Sequence, residues 1–159
     1  MRLIQDVNKK LKMKNLLLAL MFLVLCVTSA FAQSEGDVRA SGSLLLNFED
    51  AKFGVNFGGE YFFTDQVSIA PSFSNLFGTS SLLGINVDGR YYFTDSTADW
   101  YALAGITSIT GGRVTSSGIN LGAGYVVPVQ GDWSIGLQMK YTTARNGMLE
   151  MQGGVIYKF

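Results

Sequence analysis

Histidine is absent from the 159 residues, which removes every His-dependent triad, His-based metal site and His general base. Serines are numerous, but none stands beside a recognisable base that would activate it. Ser80-Ser81, next to Thr79, reads as part of a polar loop. The glycines interleave with bulky residues and form no phosphate-binding loop ahead of a helix. The residue types therefore predict a protein that is not an enzyme and holds neither a cofactor nor a metal. What remains is a set of charges at strand spacing: Lys52, Glu60, Asp88, Arg90, Lys140 and Glu150, with Arg39 in the same phase. Such a set can pair internally and neutralise a packed interior, since unpaired buried charge is costly. It can also line a narrow polar path or a small ligand site. Both roles need an enclosed interior.

That interior follows from a period of two. From Lys52 to Phe63, one face carries Phe53, Val55, Phe57, Gly59, Tyr61 and Phe63. The other carries Lys52, Gly54, Asn56, Gly58, Glu60 and one bulky exception, Phe62. From Leu83 to Phe93 the same alternation sets Leu83, Ile85, Val87, Gly89, Tyr91 and Phe93 against Gly84, Asn86, Asp88, Arg90 and Tyr92. A third copy sets Ile119, Leu121, Ala123, Tyr125 and Val127 against Asn120, Gly122, Gly124 and Val126. All three share Gly-x-Asn-x-x-x-x-Tyr, and spacings of 30 and 34 residues between Gly54, Gly84 and Gly118 imply a repeated hairpin unit. Between the copies, Val67 to Ser74 and Trp133 to Thr142 alternate in the same way. Val38–Phe48 and Met148–Phe159 open and close the set. Trp100–Ser108 completes it, although its two faces are equally apolar and the pattern does not assign them. The count is eight strands, even as in bacterial single-chain barrels.

The connections form two classes. Phe63–Gln66, Thr94–Asp99 and Pro128–Asp132 are turn-like. Glu49–Ala51, Leu76–Ser81, Ile109–Ser116 and Ala144–Gly147 are the loops of the opposite end, expected at about three to eight residues.

A soluble barrel would direct its large apolar side chains inward. Eight strands enclose a space just wide enough to be filled by side chains, and a set of Phe and Tyr from every strand would overfill it. The bulky face therefore points outward, at lipid. Tyr61, Phe63, Tyr91, Phe93, Tyr125, Trp133, Tyr157 and Phe159 fall at one set of strand ends. Phe48, Phe53, Phe73 and Tyr141 fall near the other, as two interfacial girdles would. The reading is an all-β, eight-stranded antiparallel transmembrane β-barrel. A closed soluble barrel is the alternative.

The amino terminus fits export. Lys9, Lys10, Lys12 and Lys14 precede an uncharged run from Leu16 to Val27, and Ser29-Ala30-Phe31-Ala32 offers a cleavage site. The run is too short for a membrane helix, which takes about 20 residues. Residues 1–32 are thus expected to be a cleaved signal peptide, with Met13 as a possible true start, and residues 33–159 the barrel. Cys26, the sole cysteine, follows Leu25 rather than the small residue a lipoprotein signal wants. Removing five of twelve basic residues (Arg2, Lys9, Lys10, Lys12, Lys14) and one of twelve acidic ones (Asp6) leaves seven against eleven, a net of −4. That balance argues against nucleic acid as a partner.

The chain stops at Gln152-Gly153-Gly154-Val155-Ile156-Tyr157-Lys158-Phe159. This resembles the carboxy-terminal signal of outer-membrane β-barrel proteins, with Gln152, Gly154, Tyr157 and Phe159 in its four places. The resemblance implies recognition by the barrel-assembly machinery. The mature chain as a whole resembles the small porin-like or OmpA/OmpX-type barrels, and the aromatic-Phe-Thr-Asp turn resembles their periplasmic turns. It implies residence in the bacterial outer membrane, with outer-membrane lipid as the surrounding partner. The expected role is structural, an envelope-integrity barrel plugged by its own side chains. A narrow channel for small solutes is the alternative, and surface binding or adhesion comes third because the loops are short.

Overall fold

The computed structural model describes residues 36–78, 81–95 and 98–159; the expected signal peptide lies outside the described residues. Eight strands follow one another: β1 (Val38–Asn47), β2 (Lys52–Phe62), β3 (Val67–Phe77), β4 (Leu82–Asp95), β5 (Ala98–Gly111), β6 (Val114–Gln130), β7 (Trp133–Thr142) and β8 (Met148–Lys158). Each pairs antiparallel with its neighbours in sequence, and β1 pairs with β8 from Arg39–Lys158 to Asn47–Glu150, closing the barrel. Closure leaves no open sheet edge, the condition for β-structure in lipid. No helix among the described residues is long and apolar enough to cross a membrane.

The alternation turns the large apolar side chains outward. Phe57, Ile85 and Ile106 are 61%, 62% and 65% exposed, whereas Leu45, Phe62 and Tyr92 are fully buried inside. The outward band is bounded at the terminal end by ring contacts: Tyr61 on Phe63, Tyr91 on Phe93, Trp100 on Tyr125, and Trp133 on Tyr157, which also meets Phe159. Tyr125, expected in that exposed girdle, is instead 5% exposed, because Trp100 lies 4.6 Å from its ring. At the far end Phe53 and Phe77 approach to 6.4 Å.

Three expected connections are corrected here. Ile109–Ser116 is not a loop: β5 and β6 stay paired to Gly111–Val114, and only Gly112 and Arg113 connect them. Its Gly, Ser and Thr content resembles a loop. Yet Gly112 takes φ +64, as a glycine in a two-residue hairpin turn does, and the Thr110 and Thr115 hydroxyls meet across the strands at 3.0 Å. Thr94–Asp99 and Pro128–Asp132 likewise shrink, since pairing reaches Asp95–Ala98 and Gln130–Trp133. The undecided strand now has its faces: Tyr101, Leu103, Thr107 and Ile109 point inward, Trp100 and Ile106 outward.

Pro71 sits mid-strand, where a missing N–H is normally unwelcome. Its carbonyl oxygen faces Gly58 on β2, so the missing donor falls on that side. The β2–β3 ladder accordingly passes from Gly58–Ser72 to Tyr61–Ile69 without pairing Pro71.

Inward glycines let neighbouring strands lean in. A Cβ on Gly122 would collide with the Met139 carbonyl oxygen and come within 2.9 Å of Lys140 Cα. One on outward Gly59 would meet only the Arg39 oxygen, at 3.8 Å. Gly122→Ala is therefore expected to destabilise the refolded barrel by about 1–3 kcal/mol through overpacking. Gly59→Ala is expected to leave the urea midpoint in place, and equal midpoints for the two variants would refute this account of the wall.

Candidate functional site

Buried polar side chains gather in the lumen, and it is layered. At the terminal end Phe62, Tyr92, Tyr101, Leu103, Val126 and Ile156 form a buried apolar cluster. At the far end Leu45, Leu76, Leu82, Ile109, Ala144 and Met148 form another. The polar residues lie between. The sequence expectation was a mostly small and charged interior with Phe62 and Tyr92 in the inward phase; the structure adds Tyr101, whose strand the pattern left unassigned, as a third inward ring. The rings fit because they stack at one depth from β2, β4 and β5, Tyr92 lying 5.2 Å from Phe62 and 5.0 Å from Tyr101. Tyr101 also fills the space over Gly124, where a Cβ would strike its ring.

Two polar clusters occupy the middle. In the first, Arg90 Nη1 donates to Glu60 Oε2 at 3.1 Å, and its Nη2 donates to Gln138 Oε1 at 3.1 Å. Glu60 Oε1 accepts from Ser68 Oγ at 2.5 Å and from the Tyr92 hydroxyl at 2.8 Å. Tyr101 donates to the same Gln138 oxygen at 2.9 Å, and the Arg90 guanidinium lies 4.8 Å from the Tyr101 ring centre. In the second, Lys140 Nζ stands 3.9 Å from Asp88 Oδ2 and 3.8 Å from Glu150 Oε2, and donates to Asn86 Oδ1 at 3.2 Å. Asn120 Nδ2 donates to Asp88 Oδ1 at 2.8 Å.

The structure thus brings together Glu60 with Arg90, and Asp88 with Lys140 and Glu150. Lys52 has the inward phase but stays at the rim, where Nζ meets Asp50 Oδ2 of the adjoining loop at 3.0 Å; it takes no part in the lumen pairs. Arg39 is inward and buried, its guanidinium 4.6 Å from the Phe62 ring centre. Sequence reasoning overlooked Ser68, Gln138 and the tyrosine hydroxyls, which belong to no charge pattern. It did see the Gly-x-Asn repeat. Asn56, Asn86 and Asn120, its members on β2, β4 and β6, are all buried inside, so the repeat could have flagged them.

Of the carboxy-terminal residues, Gln152 points inward and accepts from Asn56 Nδ2 at 3.2 Å. A Cβ on Gly154 would collide with the Gly42 oxygen across the closing strand pair. Tyr157 packs outward against Trp133 and Phe159.

A cavity of about 40 Å³ lies beside Arg90, lined also by Ser41, Asn56, Tyr101 and Gln138. It has room for a few waters, and Arg90 Nε and Asn56 Oδ1 are buried without protein partners. A second, of about 90 Å³, sits at the terminal mouth between Arg39, Asp132 and Lys158. No group of three or more His, Cys, Asp or Glu side chains among the described residues is placed to hold a metal ion.

No family model and no curated protein matches the chain. Solved structures do. The N-terminal β-barrel domain of Pseudomonas aeruginosa OprF is 21% identical, covering 80% of this chain and 100% of its own, with a TM-score of 0.67. The fold is that of the small bacterial outer-membrane barrels. The outer membrane protein OprG of Pseudomonas aeruginosa is 12% identical over 80% of this chain and 98% of its own, TM-score 0.62. Ail, the attachment invasion locus protein of Yersinia pestis, is 15% identical over 79% and 99%, TM-score 0.56.

Arg90 and Glu60 offer a direct test of the layered lumen. Arg90→Leu strands a buried carboxylate, and the expected loss is about 3–5 kcal/mol, against a smaller loss when Glu60→Gln accompanies it. Urea unfolding of the refolded barrel measures both; an unmoved midpoint for Arg90→Leu would show the pair to be energetically silent.

Proposed function

We propose that this protein is an integral outer-membrane barrel with a structural role in the cell envelope, its lumen closed by its own side chains. The observation that carries the reading is the pair of apolar layers across the two ends of the lumen. A solute moving along the axis would have to displace buried Leu and aromatic side chains from both, and then break the Glu60–Arg90 pair between them. A narrow solute channel needs a continuous polar path, whereas the lining residue that the cavities of about 40 and 90 Å³ have in common is Ile156 of the terminal apolar layer. Surface binding or adhesion has little loop to work with, since β5 and β6 are joined by two residues and β1 and β2 by four.

The refolded mature barrel is expected to be silent in a planar bilayer after heat-modifiable gel migration has confirmed folding. Reproducible unitary steps, altered by Arg90 or Glu60 substitution, would make it a channel and overturn the structural reading.

Delivery to the membrane belongs to the same proposal. Gln152, Gly154, Tyr157 and Phe159 would present the last strand to the barrel-assembly machinery. Phe159 itself is 75% exposed at the chain end, so its packing contribution is small. Deleting Phe159 is therefore expected to cut outer-membrane insertion in cells several-fold while refolding from urea into detergent proceeds as before. Equal loss in both settings would mean a packing role instead.

A further inference from the structure

The closed middle of the lumen carries an odd number of charges. Glu60 is matched by Arg90, but Asp88 and Glu150 share Lys140 alone. All three members of that triad are 4% exposed or less. The other cations are engaged or outside the layer: Lys52 meets Asp50 at the rim, Arg39 lies on the Phe62 ring at the terminal end, and Arg145 lies beside Gly111 in the far loops. The groups facing Glu150 do not supply the missing charge. They are Asn47 on β1 and Lys140 on β7 across the strand pairs and Asp88 on β4 beyond Lys140; Asn86 and Asn120, which bond Lys140 and Asp88, are neutral. Glu49 of the β1–β2 loop, which accepts from the Leu149 N–H at 2.6 Å, adds only negative charge nearby.

Hydrogen bonding beside the triad is incomplete as well: Asn47 Nδ2, opposite Glu150 in the β1–β8 register, is buried without an acceptor. Asn120 is fully buried and gives its amide N–H groups to Asp88 and Asn86, but its Oδ1 has no donor. An extra proton in this layer corrects the charge, whereas among the described residues no third His, Cys, Asp or Glu joins Asp88 and Glu150 to hold a metal ion.

We propose that the Asp88–Lys140–Glu150 triad is a proton-binding site, and that Glu150 holds the proton in the folded barrel at neutral pH. Asp88 has a hydrogen bond from Asn120 at 2.8 Å to support its charge. Glu150 has Lys140 at 3.8 Å, too far for a hydrogen bond. Protonated, it is a neutral group beside Lys140, and Asp88 and Lys140 form a balanced pair. Unfolding returns Glu150 to water, where it ionises. The folded state thus binds one proton more than the unfolded chain, and stability falls as rising pH strips that proton away.

The inference rests on the closed lumen proposed above. Infrared spectra of the refolded barrel in lipid vesicles at neutral pH should show the carbonyl stretch of a protonated carboxylic acid. Carbon-13 labelling of glutamate should move that band, which needs no variant, and replacing sodium by choline should leave it unchanged. Glu150→Gln should remove the band, match the wild-type urea midpoint near about pH 4, exceed it at neutrality and abolish its decline with rising pH. Asp88→Asn should weaken the band, because Lys140 is then left with Glu150 as its one carboxylate partner. A wild-type spectrum without the band overturns the proposal, as does stability that depends on sodium in its place. The bilayer recording separates the two ideas: a silent barrel without the band removes the proton site alone, and a conducting one removes the closed lumen as well.

Discussion

Lipid offers a backbone no hydrogen-bond partner, so the pairing of β1 with β8 is the interaction on which the rest of this structure depends. An open sheet would leave a row of N–H and C=O groups unsatisfied along each edge. Closing eight strands removes that cost and at the same stroke sets the width of the interior. Every inward side chain then competes for a space about as wide as the side chains themselves. The wall glycines, the stacked rings and the paired charges are all responses to that width.

The response is organised by depth. Where β2, β4 and β5 approach the terminal end they place Phe62, Tyr92 and Tyr101 in one stack, and Arg39 lies on its outer face. The rings are not only filler, because the hydroxyls of Tyr92 and Tyr101 reach up to Glu60 and Gln138. One layer thus excludes water and also satisfies the polar layer above it. The outer apolar layer has no such polar handle, and Lys140 is held from within its own layer by Asn86. Polar groups shut between two apolar layers must satisfy one another, since an unpaired charge there costs several kcal/mol on the order estimated for buried ions.

Much of this was legible in the residue order. Strict alternation located β2, β4 and β6 and decided which face meets lipid, because a one-residue slip would have buried Phe57 and exposed Glu60. The inward phase of Asp88, Arg90, Lys140 and Glu150 followed from the same rule. Reading failed where composition and geometry disagree. The Gly, Ser and Thr residues of 109–116 resemble a loop and are a hairpin. Trp100–Ser108 has two apolar faces, and only its neighbours decide that Tyr101 points in.

By itself, then, the sequence determined the number of strands, the phase of those that alternate clearly and their outward apolar band, all of which depend on near neighbours along the chain and on a period of two. Tertiary structure alone decided who meets whom across the lumen. Glu60 and Arg90 are thirty residues apart, and Lys140 and Asp88 more than fifty. Their contact depends on the shear and closure of the barrel, which bring distant positions to one depth. The same closure turns a list of inward residues into two seals with a polar chamber between them, a property of depth that no single strand contains.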